Sequence, residues 1–163
     1  LRLGKDGEFF KAYKFRTMHG DGESRLKAIL EADPQLRAEY EIYHKLRKDP
    51  RVTRIGRLLR RTRLDELPQL WNILRGDMSV VGPRPERPEF VGPLAALIPF
   101  YDERHLIKPG LTGWAQINFP YGSSVADAKR KLQLDLYYAK HASLELDLII
   151  LLRTFGTFFL GSR

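Results

Sequence analysis

Apolar and polar residues alternate near the start of the chain and then fall into helical spacing. From Phe9 onward, Phe9, Lys11, Tyr13, Phe15 and Thr17 share one side of an extended segment, with Lys14 and Arg16 on the other. Aromatic residues at that period predict a strand, and Lys5–Asp6–Gly7 before it is a turn signal. Leu26, Ile29 and Leu30 then recur at helical spacing. Asp33–Pro34 ends that helix and opens the next, as N-cap and first residue. Leu36, Tyr40, Tyr43 and Leu46 carry this second helix. Neither helix holds a catalytic grouping, so packing or the shaping of a rim is expected of both.

From Lys45 to Arg63 there are nine Lys or Arg and one acid, Asp49. Val52, Ile55, Leu58, Leu59 and Thr62 draw an apolar stripe along this basic helix. One reading is a solvated cationic face on a helix packed into the core. Another is a helix that lies on anionic membrane or meets an acidic partner. Nucleic acid is a third, but no recognition motif and no interleaved aromatics accompany the charge.

The run Arg60–Arg61–Thr62–Arg63–Leu64–Asp65–Glu66–Leu67–Pro68–Gln69–Leu70 carries the candidate chemistry. Two adjacent carboxylates follow a cluster of arginines and precede the helical pattern Leu67, Leu70, Trp71 and Leu74. Pro68 suits the first turn of that helix, where its missing N–H costs nothing. Asp65 and Glu66 are therefore expected at a helix N-terminus, beside unpaired N–H groups and the positive end of the dipole, where phosphate also binds. An Asp held there beside Arg60 stays ionised and can act as nucleophile or metal ligand. The plainer reading is an ordinary N-cap.

Arg75–Gly76–Asp77–Met78 reads as a turn and Ser79–Val80–Val81 as a short strand. Pro83 and Pro85 then stiffen the backbone on either side of Arg84, which favours bidentate phosphate binding; a rigid turn with an exposed arginine is the alternative. Asp77 is placed to cap or orient this loop. Glu89 to His105 reads as helix interrupted at Pro99, and Lys108 to Asn118 as a turn followed by a short strand. Ser124-x-x-Asp127 resembles a capping box. Val125, Ala128, Leu132, Leu136 and Ala139 line the helix it opens. Ser143 caps a last helix, Leu144 to Phe159, whose apolar excess is either core or membrane interface.

Composition narrows these readings. At 163 residues and 43% hydrophobic content, one ordinary core and a single domain over 1–163 are expected. A formal charge of +8 and a pI near 9.8 point to an anionic partner: nucleic acid, membrane surface or phosphorylated substrate. Without cysteine there is neither disulfide nor thiolate metal site. His19, His44, His105 and His141 lack ligand spacing, which argues against zinc. No signal peptide is seen. The longest apolar stretch, Leu144 to Leu160, is broken by Glu145, Asp147 and Arg153 and makes a poor bilayer span. The chain opens at Leu1 without Met and reads as a fragment.

The order of motifs is more telling than any one of them. Lys14–Phe15–Arg16–Thr17–Met18 is followed by Asp49–Pro50–Arg51–Val52–Thr53–Arg54–Ile55–Gly56 and by Leu64–Asp65–Glu66–Leu67–Pro68–Gln69–Leu70. Gly76–Asp77–Met78–Ser79–Val80–Val81–Gly82–Pro83–Arg84–Pro85 comes next, then Lys108–Pro109–Gly110–Leu111–Thr112–Gly113–Trp114–Ala115–Gln116, Asp135–Leu136–Tyr137–Tyr138, and Ser143 to Thr154. Over almost its whole length the chain resembles the catalytic domain of bacterial sugar transferases, the monotopic polyprenyl-phosphate hexose-1-phosphate transferases (phosphoglycosyl transferases). It looks most like the members that initiate exopolysaccharide and O-antigen assembly.

The resemblance implies transfer of a sugar 1-phosphate from a UDP-sugar to undecaprenyl phosphate, with release of UMP and use of Mg²⁺. It implies Asp65 as the nucleophile that forms a covalent phospho-sugar aspartate, and Glu66 as its partner, holding Mg²⁺ with it or handling the acceptor's proton. Arg60 and Arg84 match family arginines expected to contact phosphate or nucleotide. Lys14 and Arg16 match the family's basic strand and are expected to face the same site. The family's membrane-inserted segment precedes the position where this chain opens, so the piece is expected to lack its anchor while belonging at the cytoplasmic face of the inner membrane. The expected fold is a mostly helical, compact α/β domain with a small sheet from the Phe10, Val80 and Trp114 regions. Helices around Arg54, Tyr101 and Ile150 are expected to face the membrane. The competing reading is a non-enzymatic basic module that binds anionic membrane or nucleic acid; self-association and the identity of the hexose are left open.

Overall fold

Short polar side chains and prolines set the ends of the elements. In chain order these are β1 (Arg2–Leu3), β2 (Phe9–Phe10), α1 (Gly22–Ala32), α2 (Pro34–Tyr43), α3 (Arg54–Arg61), α4 (Gln69–Arg75), β3 (Ser79–Val81), α5 (Pro88–Leu97), β4 (Gly110–Thr112), α6 (Trp114–Asn118), α7 (Val125–His141) and α8 (Leu144–Leu160). The computed structural model describes residues 1–43, 46, 48–119, 122 and 124–160. His44, Lys45 and Arg47 of the expected second helix and basic stretch lie outside the described residues.

Asp33 caps α2 as expected, its Oδ1 accepting from the N–H groups of Gln35 at 2.8 Å and Leu36 at 3.1 Å. Thr53 Oγ1 accepts from Gly56 N–H at 2.8 Å and opens α3. Ser124 and Asp127 form a reciprocal capping box. Ser143 Oγ accepts from Leu146 N–H at 3.2 Å at the start of α8. The helix expected over 89–105 divides at Pro99 into α5 and a 3₁₀ turn, Tyr101–Leu106.

The molecule is a mostly helical α/β protein, as the sequence predicts, built as two compact units. The larger comprises Leu1–Tyr13 and Pro68–Arg163, the smaller Lys14–Leu67. In the larger unit, Val91, Ile98, Tyr101 and Leu132 form one buried cluster and Val81, Tyr138 and Ile150 another. Strands β1 and β2 pair antiparallel, while β3 and β4 form a separate parallel pair with Ser79 opposite Gly110 and Val81 opposite Thr112. Glycine is required beside this second pair. A Cβ at Gly110 would stand 2.1 Å from Gly82 N, and one at Gly113 2.1 Å from Gly82 O. The expected three-part sheet is thus two small sheets.

Two further expectations need correction. The strand predicted over residues 9–18 is reduced to β2 and an isolated bridge between Met18 and Val52. Side chains and loops take up the backbone groups that a ladder would have used. Asn72 Nδ2 donates to Lys11 O at 2.8 Å, and Tyr13 N–H donates to Asn72 Oδ1 at 3.0 Å. Second, the strand expected in the Trp114 region lies earlier, at β4, and Trp114–Asn118 is helix. Separately, apolar positions on two helices, whose covering the sequence leaves open, are exposed. On α3, Ile55 and Leu58 are 74% and 59% exposed, while the buried position is Gly56. On α4, Leu70, Trp71 and Leu74 are exposed, and Gln69 and Asn72 are buried. Helical periodicity names an apolar face but does not say what will cover it.

Candidate active site

Asp65 and Glu66 do not stand at the N-terminus of α4. They occupy a separate 3₁₀ turn, Leu64–Glu66, entered through Arg63 at φ 54°. A left-handed arginine is uncommon and breaks the path of α3. Pro68 itself takes the N-cap position of α4 and makes no side-chain cap bond. The expected helix-dipole cradle is therefore replaced by a cationic side chain.

That cation is Lys14. Its Nζ lies 2.8 Å from Asp65 Oδ2 and 3.3 Å from Glu66 Oε1. The Asp65 side chain is only 4% exposed and the Lys14 side chain 43%, so the ammonium stands between the buried carboxylate and solvent. Backbone contacts hold the lysine there. Phe15 N–H donates to Asp65 O at 2.9 Å, Thr53 N–H to Thr17 O at 3.0 Å, and His19 N–H to Arg51 O at 3.0 Å. Segment 14–19 is thereby tied to the 3₁₀ turn and to the approach to α3. Arg60, exposed at the end of α3, donates from Nε to Thr17 Oγ1 at 2.8 Å on the same segment. Asp49 receives two bonds from the Arg51 guanidinium, at 2.8 Å and 2.6 Å. Burial pushes the Asp49 carboxyl up, but the hydrogen bonds from Arg51 outweigh it and hold the group below its usual range.

The structure thus brings Lys14, Asp65 and Glu66 together, with Arg60 bonded to the segment that presents Lys14. Arg16 is exposed, and its guanidinium lies beside Gly20. Arg84 belongs to the larger unit, where Nη1 donates to Gln116 Oε1 at 3.3 Å.

The two carboxylates converge on a point that already holds positive charge. Mg²⁺ typically takes one or two carboxylates and completes its shell with water and substrate phosphates. Among the described residues no group of three or more His, Asp or Glu could hold a metal ion. A cation here would therefore meet no third His, Asp or Glu among the described residues. By donor chemistry Asp65 and Glu66 fit such an ion.

Two features of the larger unit escaped the reading of the sequence. Asn72, fully buried, donates to Asp77 Oδ2 at 3.0 Å as well as to Lys11 O. Arg104 and Asp135, both buried, pair at 2.8 Å. Burial pushes the Asp135 carboxyl up to about 6, with Arg104 offsetting part of the effect. A signal for this pair was available: Asp135 follows Leu132 by three residues, on the inward face of α7.

Comparison with known proteins agrees with the motif order. A family model described as bacterial sugar transferase matches residues 1–161. A UDP-N-acetylgalactosamine-undecaprenyl-phosphate N-acetylgalactosaminephosphotransferase of Aeromonas hydrophila is 39% identical over 98% of this chain and 34% of its own length. A UDP-galactose-lipid carrier transferase of Erwinia amylovora is 42% identical, covering 95% of this chain and 31% of that protein. An undecaprenyl-phosphate glucose phosphotransferase of Komagataeibacter xylinus is 42% identical over 94% of this chain and 27% of its own. The chain spans about a third of the length of these relatives.

Proposed function

The chain belongs to the bacterial sugar transferase family, and on that premise we propose that it moves a hexose 1-phosphate from a UDP-hexose to undecaprenyl phosphate at a membrane surface, with release of UMP. The convergence of Asp65, Glu66 and Lys14 is the observation that carries this reading. Phosphoryl transfer depends on positioning and on neutralising charge, and this cluster supplies both.

In the first step an Asp65 carboxylate oxygen attacks the phosphorus that bears the sugar. A bond from that phosphorus to Asp65 forms, the pyrophosphate P–O bond breaks, and UMP leaves with the bonding pair. In the second step an oxygen of the acceptor phosphate attacks the same phosphorus and the Asp65 carboxylate is released. Glu66 takes the acceptor's proton. Lys14, already against both carboxylates, shifts its ammonium toward the incoming phosphate as the donor arrives. Asp65 and Glu66 would hold Mg²⁺, which when bound neutralises phosphoryl charge. Arg60, Arg84 and Arg16 are assigned to substrate phosphate or nucleotide by motif match.

The test supplies UDP-N-acetylgalactosamine, UDP-galactose and UDP-glucose, with Mg²⁺ and with or without undecaprenyl phosphate. With acceptor, at least one sugar should yield UMP and a lipid-linked product in equal amounts. Without acceptor, UMP release should stop near one equivalent, with a sugar-phosphate mass added to the chain. Chelation of Mg²⁺ should suppress both. Absence of UMP with every sugar, alongside salt-sensitive vesicle binding, would favour the non-enzymatic basic module instead.

Helix α3 supports the membrane-surface part. Ile55 and Leu58 are exposed among Arg54, Arg57 and Arg61, the arrangement of a helix resting on anionic headgroups. Among the described residues no helix is long and apolar enough to cross a membrane. The double substitution Ile55→Glu/Leu58→Glu should weaken binding to phosphatidylglycerol vesicles by at least about tenfold, since two apolar contacts are lost and two repelled charges gained. Equal sedimentation of variant and wild type would remove α3 from the membrane contact.

A further inference from the structure

We propose that the buried pair Arg104–Asp135 is a positioning device that aims the Arg84 side chain by holding its backbone. This rests on the reading of Arg84 as a substrate-phosphate contact.

The loop Pro83–Arg84–Pro85 is poorly equipped to hold itself. Two of its three residues lack an N–H group, so its carbonyls must be bound from outside. Gly110 N–H donates to Pro83 O at 2.8 Å, and Leu3 N–H donates to Glu86 O at 3.1 Å. Between these main-chain anchors, Arg84 O accepts from Arg104 Nη2 at 3.0 Å. The same nitrogen donates to Asp135 Oδ2 at 2.8 Å, while Nη1 donates to Tyr101 OH at 3.1 Å. The planar guanidinium therefore joins α7, the 3₁₀ turn 101–106 and the loop, a geometry that a lysine cannot reproduce.

The pair is an expensive way to fill a core. Arg104 and Asp135 are 5% and 2% exposed, and Arg104 Nε has no hydrogen-bond partner among the described residues. Buried ion pairs often stabilise less than apolar residues of similar volume. The bond to Arg84 O is what an apolar pair could not supply, and it points to function rather than stability. Glu86 and Lys131 also act electrostatically on Asp135, and Tyr101 and Glu86 on Arg104, which completes the charged surroundings of the pair.

Arg84→Ala sets the reference, with donor KM and kcat read from UMP release. It should raise donor KM by about 10- to 100-fold, the loss of a charge-assisted bond. The apolar swap Arg104→Met/Asp135→Leu should keep a cooperative thermal transition and raise KM about tenfold, with kcat changed much less. In an Arg84→Ala background the swap should add less than about twofold, because it acts through Arg84. Should the swap not fold, Arg104→Lys replaces it: it retains the charge and the pairing with Asp135, and should raise KM with little change in Tm. A wild-type KM in the folded swap or in Arg104→Lys, or an undiminished effect in the Arg84→Ala background, would overturn the positioning role while leaving Arg84 in place. A wild-type KM in Arg84→Ala would instead overturn the reading on which the proposal rests.

Discussion

Asp65→Asn should lower UMP release by at least about 1,000-fold, the scale on which loss of a covalent nucleophile is felt. The substitution preserves shape while replacing the nucleophilic carboxylate with a neutral amide. Phe15 binds the Asp65 carbonyl rather than its side chain, so segment 14–19 keeps that anchor. The variant should therefore remain folded, and the loss should lie in chemistry. Lys14 would then face Glu66 as its remaining carboxylate at this point. No sugar-phosphate adduct should form on the variant without acceptor. Intact mass and UMP release measured on the same folded sample provide the check. Turnover equal to wild type would end the nucleophile assignment, whatever the fate of the membrane contact.

The second large effect is structural. Gly56 is the buried position of α3, and a Cβ there would stand 2.0 Å from Thr17 O and 2.7 Å from Thr17 C. Alanine favours a helix over glycine by about 1 kcal/mol. Against that stands an overlap with backbone, which cannot rotate away as a side-chain tip can. Overpacking of this kind costs about 1–3 kcal/mol or more, and here the obstacle is the rigid partner, so the cost prevails. Gly56→Ala should lower Tm by about 4–8 °C, the shift that about 2 kcal/mol produces in a domain of this size. Activity should fall with it, because Thr17 is also the residue to which Thr53 N–H and Arg60 Nε donate. Gly92→Ala in α5 is the control. Nothing lies within 4 Å of a Cβ there, so its Tm should stay level or rise. Equal Tm for Gly56→Ala and wild type would show that α3 does not press on Thr17.

Local chemistry was legible wherever one side chain decides one boundary. Asp33, Ser124 and Ser143 each cap a helix where the sequence predicts one, since a cap needs only a short oxygen and a nearby N–H. The strand predicted over 9–18 shrinks to β2 and one bridge because alternation tells which residues can share a face, not whether a neighbouring strand exists. Asn72, from α4, supplied the bonds instead. The candidate site was found by motif, yet its local geometry was not: Pro68 suggested a helix start, while Arg63 turned the chain into a 3₁₀ turn before it.

By itself the sequence determined the helical α/β class, the caps, the adjacent carboxylates and the basic excess, all of which follow from neighbours along the chain. Only the tertiary structure decided that Lys14, fifty-one positions before Asp65, is the cation against that carboxylate. It likewise decided that α3 buries a glycine and exposes its isoleucine and leucine, and that Arg104 and Asp135 meet beneath Arg84. Propensity and capping act over one or two turns, whereas ion pairing and close backbone approach depend on residues that only the folded chain brings within a few ångströms.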